Sequence, residues 1–145
     1  WAEQAEAITW SKPFDKVRPN DWQNMLDVNL TGPALVTMEA LDYMEDAERP
    51  QIINIASTAA QQGYAGGVAY CASKWGLRGF SEALRLDLAD QGFRVTTVYP
   101  PAVDTSIFDK VEGDWDRSTM LKPEVVADAV WDAYASDEPI NDVSF

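Results

Sequence analysis

Tyr70 and Lys74 stand four residues apart within Val68 to Gln91, a segment whose apolar positions recur at helical spacing, so their side chains share one face about a turn apart. A nearby ammonium favours a phenolate. The spacing therefore predicts a Tyr70 pKa lowered from ~10 toward the working range, where the phenol can donate or accept a proton. The chain contains no histidine, which excludes Ser-His-Asp triads, His-ligated zinc and imidazole acid/base chemistry and leaves proton transfer to Tyr, Lys, Asp or Glu. No metal site is expected. A Tyr-x-x-x-Lys pair alone is a common accident of surface helices, and a solvated Lys74 is the competing reading. Cys71, the single cysteine, is expected to be a small packed hydrophobe, since no base is available to activate it, and an intrachain disulfide is impossible.

The elements that must position this pair are legible in outline. Pro19 opens a helical stretch to about Met44 with apolar positions at Trp22, Met25, Leu26, Leu30, Val36, Leu41 and Met44. Gly32-Pro33 interrupts it. Pro33 has no N–H for the carbonyl four residues back, which predicts a bend and a free Asn29 carbonyl. Gln51 to Ala56 reads as a strand of the kind buried in a parallel sheet, followed by a loop from Ser57 to Gly67. In the Val68 to Gln91 helix, Leu77, Phe80, Leu84 and Leu88 form one apolar stripe and Trp75, Gly79, Ala83 and Leu86 another, with Gly92 placed as a C-terminal cap. Phe93 to Tyr99 is a second strand, ended by Pro100-Pro101. Ile107, Phe108, Trp115 and Met120 sit in the following loop, as a lid or as a cover over the sheet end. Pro123 opens a last helix to about Tyr134, and Ile140 to Phe145 reads as a short strand. Strands alternating with helices give an α/β sheet, expected to be parallel, whose ligands would sit beyond the strands' carboxyl ends, where Ser57 and Thr105 lie.

The segments Asn54-Ile55-Ala56-Ser57-Thr58 and Tyr70-Cys71-Ala72-Ser73-Lys74-Trp75-Gly76-Leu77, with thirteen residues from Ser57 to Tyr70, join Val28-Asn29-Leu30-Thr31-Gly32 upstream and Tyr99-Pro100-Pro101-Ala102-Val103-Asp104-Thr105 downstream. Together they resemble the single-domain branch of the short-chain dehydrogenase/reductase family, from about Ile8 to the end of the chain. The resemblance implies a Rossmann-like doubly wound parallel sheet and an NAD- or NADP-dependent oxidoreductase interconverting a secondary alcohol and a ketone. It implies Tyr70 as acid/base, and Lys74 as the group that lowers the tyrosine pKa and holds the nicotinamide ribose. Ser57 would bond the reacting oxygen, and Asn29 would hold, through its main-chain carbonyl, a water linking the lysine to solvent. Pro100, Val103 and Thr105 match the stretch that contacts the nicotinamide end. On the residues alone, Ser57 as a turn cap and Asn29 as a polar helix position remain open. The resemblance also implies a homodimer or homotetramer packed through helices 19–44 and 68–91, which the second apolar stripe fits.

Three departures from the family pattern stand out. Its glycine-rich phosphate-binding turn is not in this chain, Gln4-Ala5-Glu6-Ala7 stands where Asn-Asn-Ala-Gly is usual, and Pro101 replaces a glycine. The chain begins at Trp1, so it is either processed or part of something longer, expected to carry about three to four further βα units ahead of it. The rival reading is a non-enzymatic remnant of the fold acting as an association domain. A halohydrin dehalogenase would share the Ser and Tyr but needs Arg at Lys74.

Composition sets the frame. The 145 residues, 46% hydrophobic and 11% aromatic, suit one packed domain rather than a disordered chain. With 24 acids against 11 bases the net charge is −13, which argues against nucleic acid and anionic membranes as partners. No apolar run reaches the ~18 residues of a membrane span and the N-terminus is acidic, so a soluble cytoplasmic protein is expected; the resemblance implies a small-molecule alcohol or carbonyl substrate.

Overall fold

A computed structural model describes residues 12–109 and 114–145; the Gln4 to Ala7 segment lies outside them. Among these residues three strands, β1 (Gln51–Ile55), β2 (Arg94–Tyr99) and β3 (Asp142–Ser144), form a parallel sheet in that spatial order. Gln51 pairs with Arg94 and Ile55 with Val98, while Thr97 pairs with Asp142 and Tyr99 with Ser144. The α/β class and the parallel sheet are as the sequence predicts. β2 lies between two partners and its Val95 to Tyr99 are buried. β1 is paired on one side among the described residues, so its isoleucines are less buried than the sequence suggests, and Ile55 is exposed.

Among the described residues there are four α-helices, α1 (Pro19–Leu26), α2 (Gly32–Met44), α3 (Val68–Asp87) and α4 (Pro123–Ala135), of which α3 packs on β2 and α4 on β3. The expected single helix from 19 to 44 is instead α1 and α2 joined by a π-helical segment, Asp27–Thr31, closed by a bond from Gly32 N–H to the Asp27 carbonyl five residues back. The missing N–H of Pro33 is met by widening the helix immediately before it, a π-bulge in place of a simple kink. This segment crosses α3 closely: a Cβ on Gly76 would stand 2.7 Å from Leu30 Cδ2, so a side chain at 76 would push the two helices apart.

The core has two parts. Ala56, Ala60, Leu77 and Tyr99 cluster with Leu30 and Phe80 against them, and Met25 with Ala69 gathers Trp22, Val28 and Tyr70. Of the two stripes on α3, Leu77 and Leu88 are buried, whereas Trp75, Gly79, Ala83 and Leu86 are exposed. α3 ends in a short 3-10 turn and then Gly92 at φ 77°, as its predicted cap role requires. None of the helices among the described residues is long and apolar enough to cross a membrane.

The C-terminal segment is held by arginines on carbonyls. A helix end leaves four carbonyls without intrahelical partners. Here Arg94 Nη1 donates to Ser136 O at 2.7 Å and Nη2 to Asp137 O, while Arg49 Nη2 reaches Tyr134 O and Ser136 O. Arg85 donates to Val95 O and Asn141 O at 2.9 Å each, tying β3's entry to β2. Arg94→Ala should cost about 1.5–3 kcal/mol, the range for hydrogen bonds to a charged group, and lower the thermal midpoint measured by circular dichroism. An unchanged midpoint would show that the carbonyls are equally well satisfied by water.

Candidate active site

The parallel ladder continues past the ends of β1 and β2: Ala56 N donates to Val98 O at 2.8 Å and Thr58 N to Pro100 O at 3.1 Å. These bonds hold Ser57 beside the Pro100-Pro101 turn. Ser57 is extended, and its Oγ accepts from Ala59 N at 3.1 Å, capping a 3-10 turn over Thr58–Ala60. The capping role therefore exists, and the same residue faces a cavity of about 650 Å³ that also takes in Tyr70, Lys74, Pro100, Val103 and Thr105. Six of the seven predicted site residues meet in this one cavity.

Asn29 stands behind it. It lies on the π-helical segment, and its Nδ2 donates to Ser73 Oγ at 3.0 Å and approaches Met25 Sδ at 3.3 Å; Ser73 Oγ in turn donates to Tyr70 O at 2.7 Å. Its side chain thus braces the turn of α3 that carries Tyr70 without lining the cavity. Cys71 is buried, as expected of a packed hydrophobe.

The electrostatics differ from the simple Tyr–Lys reading. The Tyr70 pKa is raised, not lowered: burial against apolar walls disfavours the phenolate, and a hydrogen bond from Ser57 only partly offsets it. Lys74 does not pull it down, because its Nζ sits 5.8 Å from the Tyr70 ring centroid and donates to Ile55 O at 3.1 Å. Burial pushes Lys74 itself down to about 8. The cation is therefore half-buried and anchored to the end of β1, poised between charge states.

The loop with Val103 and Thr105 is stapled from the far side. Leu121 N donates to Ala102 O at 3.0 Å and Asp104 N to Leu121 O at 2.8 Å, with Val103 and Leu121 forming a parallel bridge. The Asp104 carboxylate accepts from Lys122 Nζ and from Arg117 Nε at 2.7 Å each, and Arg117 also reaches Asp109 and the Thr105 carbonyl. Lys122 first, then Arg117, holds the Asp104 pKa below the usual carboxylate range. No described non-glycine residue has a positive φ, so the second proline at 101 is accommodated in ordinary backbone. Ile107, Phe108 and Trp115 line the cavity, with Phe108 and Trp115 edge to face at 5.2 Å, whereas Met120 is buried. Sequence reasoning missed Asp104, Arg117 and Lys122 as positioning residues, and Gln62 and Tyr64 as cavity walls. The alternation of one acid with two later bases was the available signal, but it has no helical or strand period.

Comparison with known proteins gives the family and the fold. Residues 5–115 match the model of the short chain dehydrogenase family. The chain is 38% identical over 129 residues to the NADP-dependent 3-hydroxy acid dehydrogenase YdfG of Salmonella typhi, covering 83% of this chain and 52% of that protein. It is 33% identical over 128 residues to rat (Rattus norvegicus) retinol dehydrogenase 7, covering 84% and 40%. Among solved structures, serine dehydrogenase from Escherichia coli superposes with a TM-score of 0.81 at 33% identity, over 95% of this chain and 58% of that one. A closed form of serine dehydrogenase complexed with NADP+ gives 0.85 at 34% identity, over 93% and 59%. The chain spans about half the length of the curated relatives it matches.

The staple has a measurable consequence. Asp104→Ala removes the acceptor shared by Arg117 and Lys122, and amide hydrogen exchange at Asp104 and Leu121 should accelerate by about tenfold or more as local opening becomes easier. Unchanged protection at both amides would assign the loop's order to the backbone pairing alone.

Proposed function

The chain belongs to the short chain dehydrogenase family, and on that premise we propose that it carries the proton-handling and nicotinamide-side residues of an NAD(P)-dependent oxidoreductase that interconverts a secondary alcohol and a ketone. The observation that carries the reading is the meeting of Ser57, Tyr70 and Lys74 in one cavity, with Ser57 acting to lower the Tyr70 pKa against the effect of burial. The names of the relatives favour NADP, and a short hydroxy acid as substrate.

The donor set fits a nicotinamide–ribose end. An ammonium carries three donors and Ile55 O takes one among the described residues, so Lys74 can serve ribose hydroxyls, while Pro100, Val103 and Thr105 form the wall beside it. When bound, the dinucleotide supplies or accepts the hydride. The rest is done by this chain. Tyr70 gives a proton to the carbonyl oxygen during reduction, or takes the hydroxyl proton during oxidation. Ser57 hydrogen-bonds that oxygen and fixes its distance from the phenol. Lys74 leaves the unliganded Tyr70 pKa unlowered, and its charge serves the nicotinamide–ribose end of the cavity. Asn29 and Ser73 hold the helix turn in place.

The two pKa directions fix the pH behaviour. Reduction needs a neutral Tyr70 and a charged Lys74, so kcat/KM should be flat below about 8, where Lys74 titrates, and fall above it. Oxidation needs the phenolate with the charged lysine, so it should rise with pH to about 8 and then level off until the raised Tyr70 pKa is reached. Both arms should collapse by at least ~100-fold in Tyr70→Phe. Turnover unchanged in that variant, with NAD(P)(H) and a panel of short hydroxy and oxo acids, would falsify the assignment; absence of nicotinamide-nucleotide binding by calorimetry would favour the association-domain alternative.

The apolar exposure of two helices supports self-association. On α2, Leu35, Val36 and Met38 are more than half exposed, and on α3 Trp75 and Leu86 are 47% and 78% exposed. Pairing of these helices across a two-fold axis would bury them in a homodimer or homotetramer. Light scattering at micromolar concentration should give a dimeric or tetrameric mass, and Leu86→Asp should shift it toward the monomer. A monomeric mass for the unaltered protein would rule out this surface as the interface.

A further inference from the structure

The cavity contains a second phenol that proton transfer does not use. Tyr64 lines the same cavity as Tyr70 and is half-exposed, and its position is set by the backbone. Gly67 N donates to Tyr64 O at 3.1 Å, and Cys71 N donates to Gly67 O at 2.7 Å, so the Tyr64 turn is locked onto the first turn of the helix that carries Tyr70. The ring lies flat against Gly67: a Cβ there would stand 2.5 Å from Tyr64 Cε2 and Cζ. Gly67 has an ordinary φ of −94°, so what demands a glycine at 67 is the ring and not the backbone. Burial, with Cys71 and Tyr70 adding to it, pushes the Tyr64 pKa up to about 12. The phenol therefore remains a neutral hydrogen-bond donor across the working range, and it does not repel an anion as a carboxylate would.

Resting on the oxidoreductase reading above, we propose that Tyr64 selects the substrate, its phenol donating a hydrogen bond to the carboxylate of a short hydroxy acid whose hydroxyl is held by Ser57 and Tyr70. In a 3-hydroxy acid the carboxylate carbon is two bonds from the carbinol carbon. The acid group then lies in the same small cavity as the reacting oxygen and needs a donor there. Ser57, Tyr70 and Lys74 are engaged at the reacting end, and Tyr64 is a further donor lining the cavity, held by the turn that joins it to α3. A site built to hydrogen-bond an oxygen discriminates against the analogue lacking it, because its donor is then left unpaired.

The test uses 3-hydroxybutanoate and 2-butanol, which share the secondary alcohol and differ in the carboxylate, with NADP+ or NAD+ and the intact protein. Tyr64→Phe keeps the ring and removes the donor. It should lower kcat/KM for 3-hydroxybutanoate by about tenfold or more, through KM, and leave 2-butanol within about twofold. Gly67→Ala, which displaces the ring without straining the backbone, should weaken 3-hydroxybutanoate in the same way. Binding of butanoate, which has the carboxylate but no reacting hydroxyl, is read separately by saturation-transfer NMR. The unaltered protein should bind it at least several-fold more tightly than Tyr64→Phe. Equal losses on both alcohols, no loss on either, or equal butanoate binding overturns the role of Tyr64. Butanoate binding that depends on Tyr64, in a protein that oxidises neither alcohol, keeps the carboxylate contact and overturns the oxidoreductase reading instead.

Discussion

The two hydrogen bonds that carry the β1–β2 ladder beyond its strand ends, Ala56 N to Val98 O and Thr58 N to Pro100 O, are the constraint on which the site depends. They set Ser57 and Pro100 side by side at the carboxyl edge of a parallel sheet, the edge where such sheets place their ligands. The same strand end supplies Ile55 O to Lys74, so the sheet positions a cation on the neighbouring helix as well as the serine. α3 then needs one further restraint, its rotation about its own axis, and this comes from Asn29 through Ser73 to the Tyr70 carbonyl. Sheet, helix and π-helical segment each fix a different coordinate of one cluster of side chains.

What could be read from the sequence is what local chemistry decides. The β-branched run at 51–55, the apolar period of α3, Gly92 and the opening prolines at 19 and 123 all act through their own residue or near neighbours, and the elements formed there. Pro33 was enough to locate a break but not to choose its form, because a kink and a π-bulge both remove the demand for its N–H, and packing of Leu30 over Gly76 accompanies the second. The Asp104 staple was not legible. Its partners lie at 117 and 122, and a salt-bridge pair gains its meaning only after the chain has folded back. The exposure of Ile55 likewise follows from the pairing of β1 on one side among the described residues, which no residue in 51–55 encodes.

The Tyr–Lys pair shows where motif reasoning and physics part. Spacing placed both groups on one face, and from that a lowered tyrosine pKa followed. Burial reversed the sign, since it disfavours a phenolate and an ammonium alike: Tyr64 and Tyr70 are raised and Lys74 is lowered, all three with desolvation as the largest cause. A tyrosine kept protonated is a ready acid for reduction but a reluctant base for oxidation.

Desolvation also sets how Lys74 links the site to folding. Its pKa falls to about 8 from 10.5, so between those values the unfolded chain binds more protons than the folded one and stability rises with pH; below about 8 both states are protonated and the charge is carried into the cavity at a constant cost. That cost is reduced by whatever negative or oxygen-rich group approaches the ammonium, and the Ile55 carbonyl is already one. A ligand whose oxygens reach Lys74 would raise its pKa, keep it charged to higher pH and stabilise the fold together. The chain's surplus of acids does not do this work, because none forms a salt bridge with Lys74 among the described residues. The cation is left for the molecule that fills the cavity.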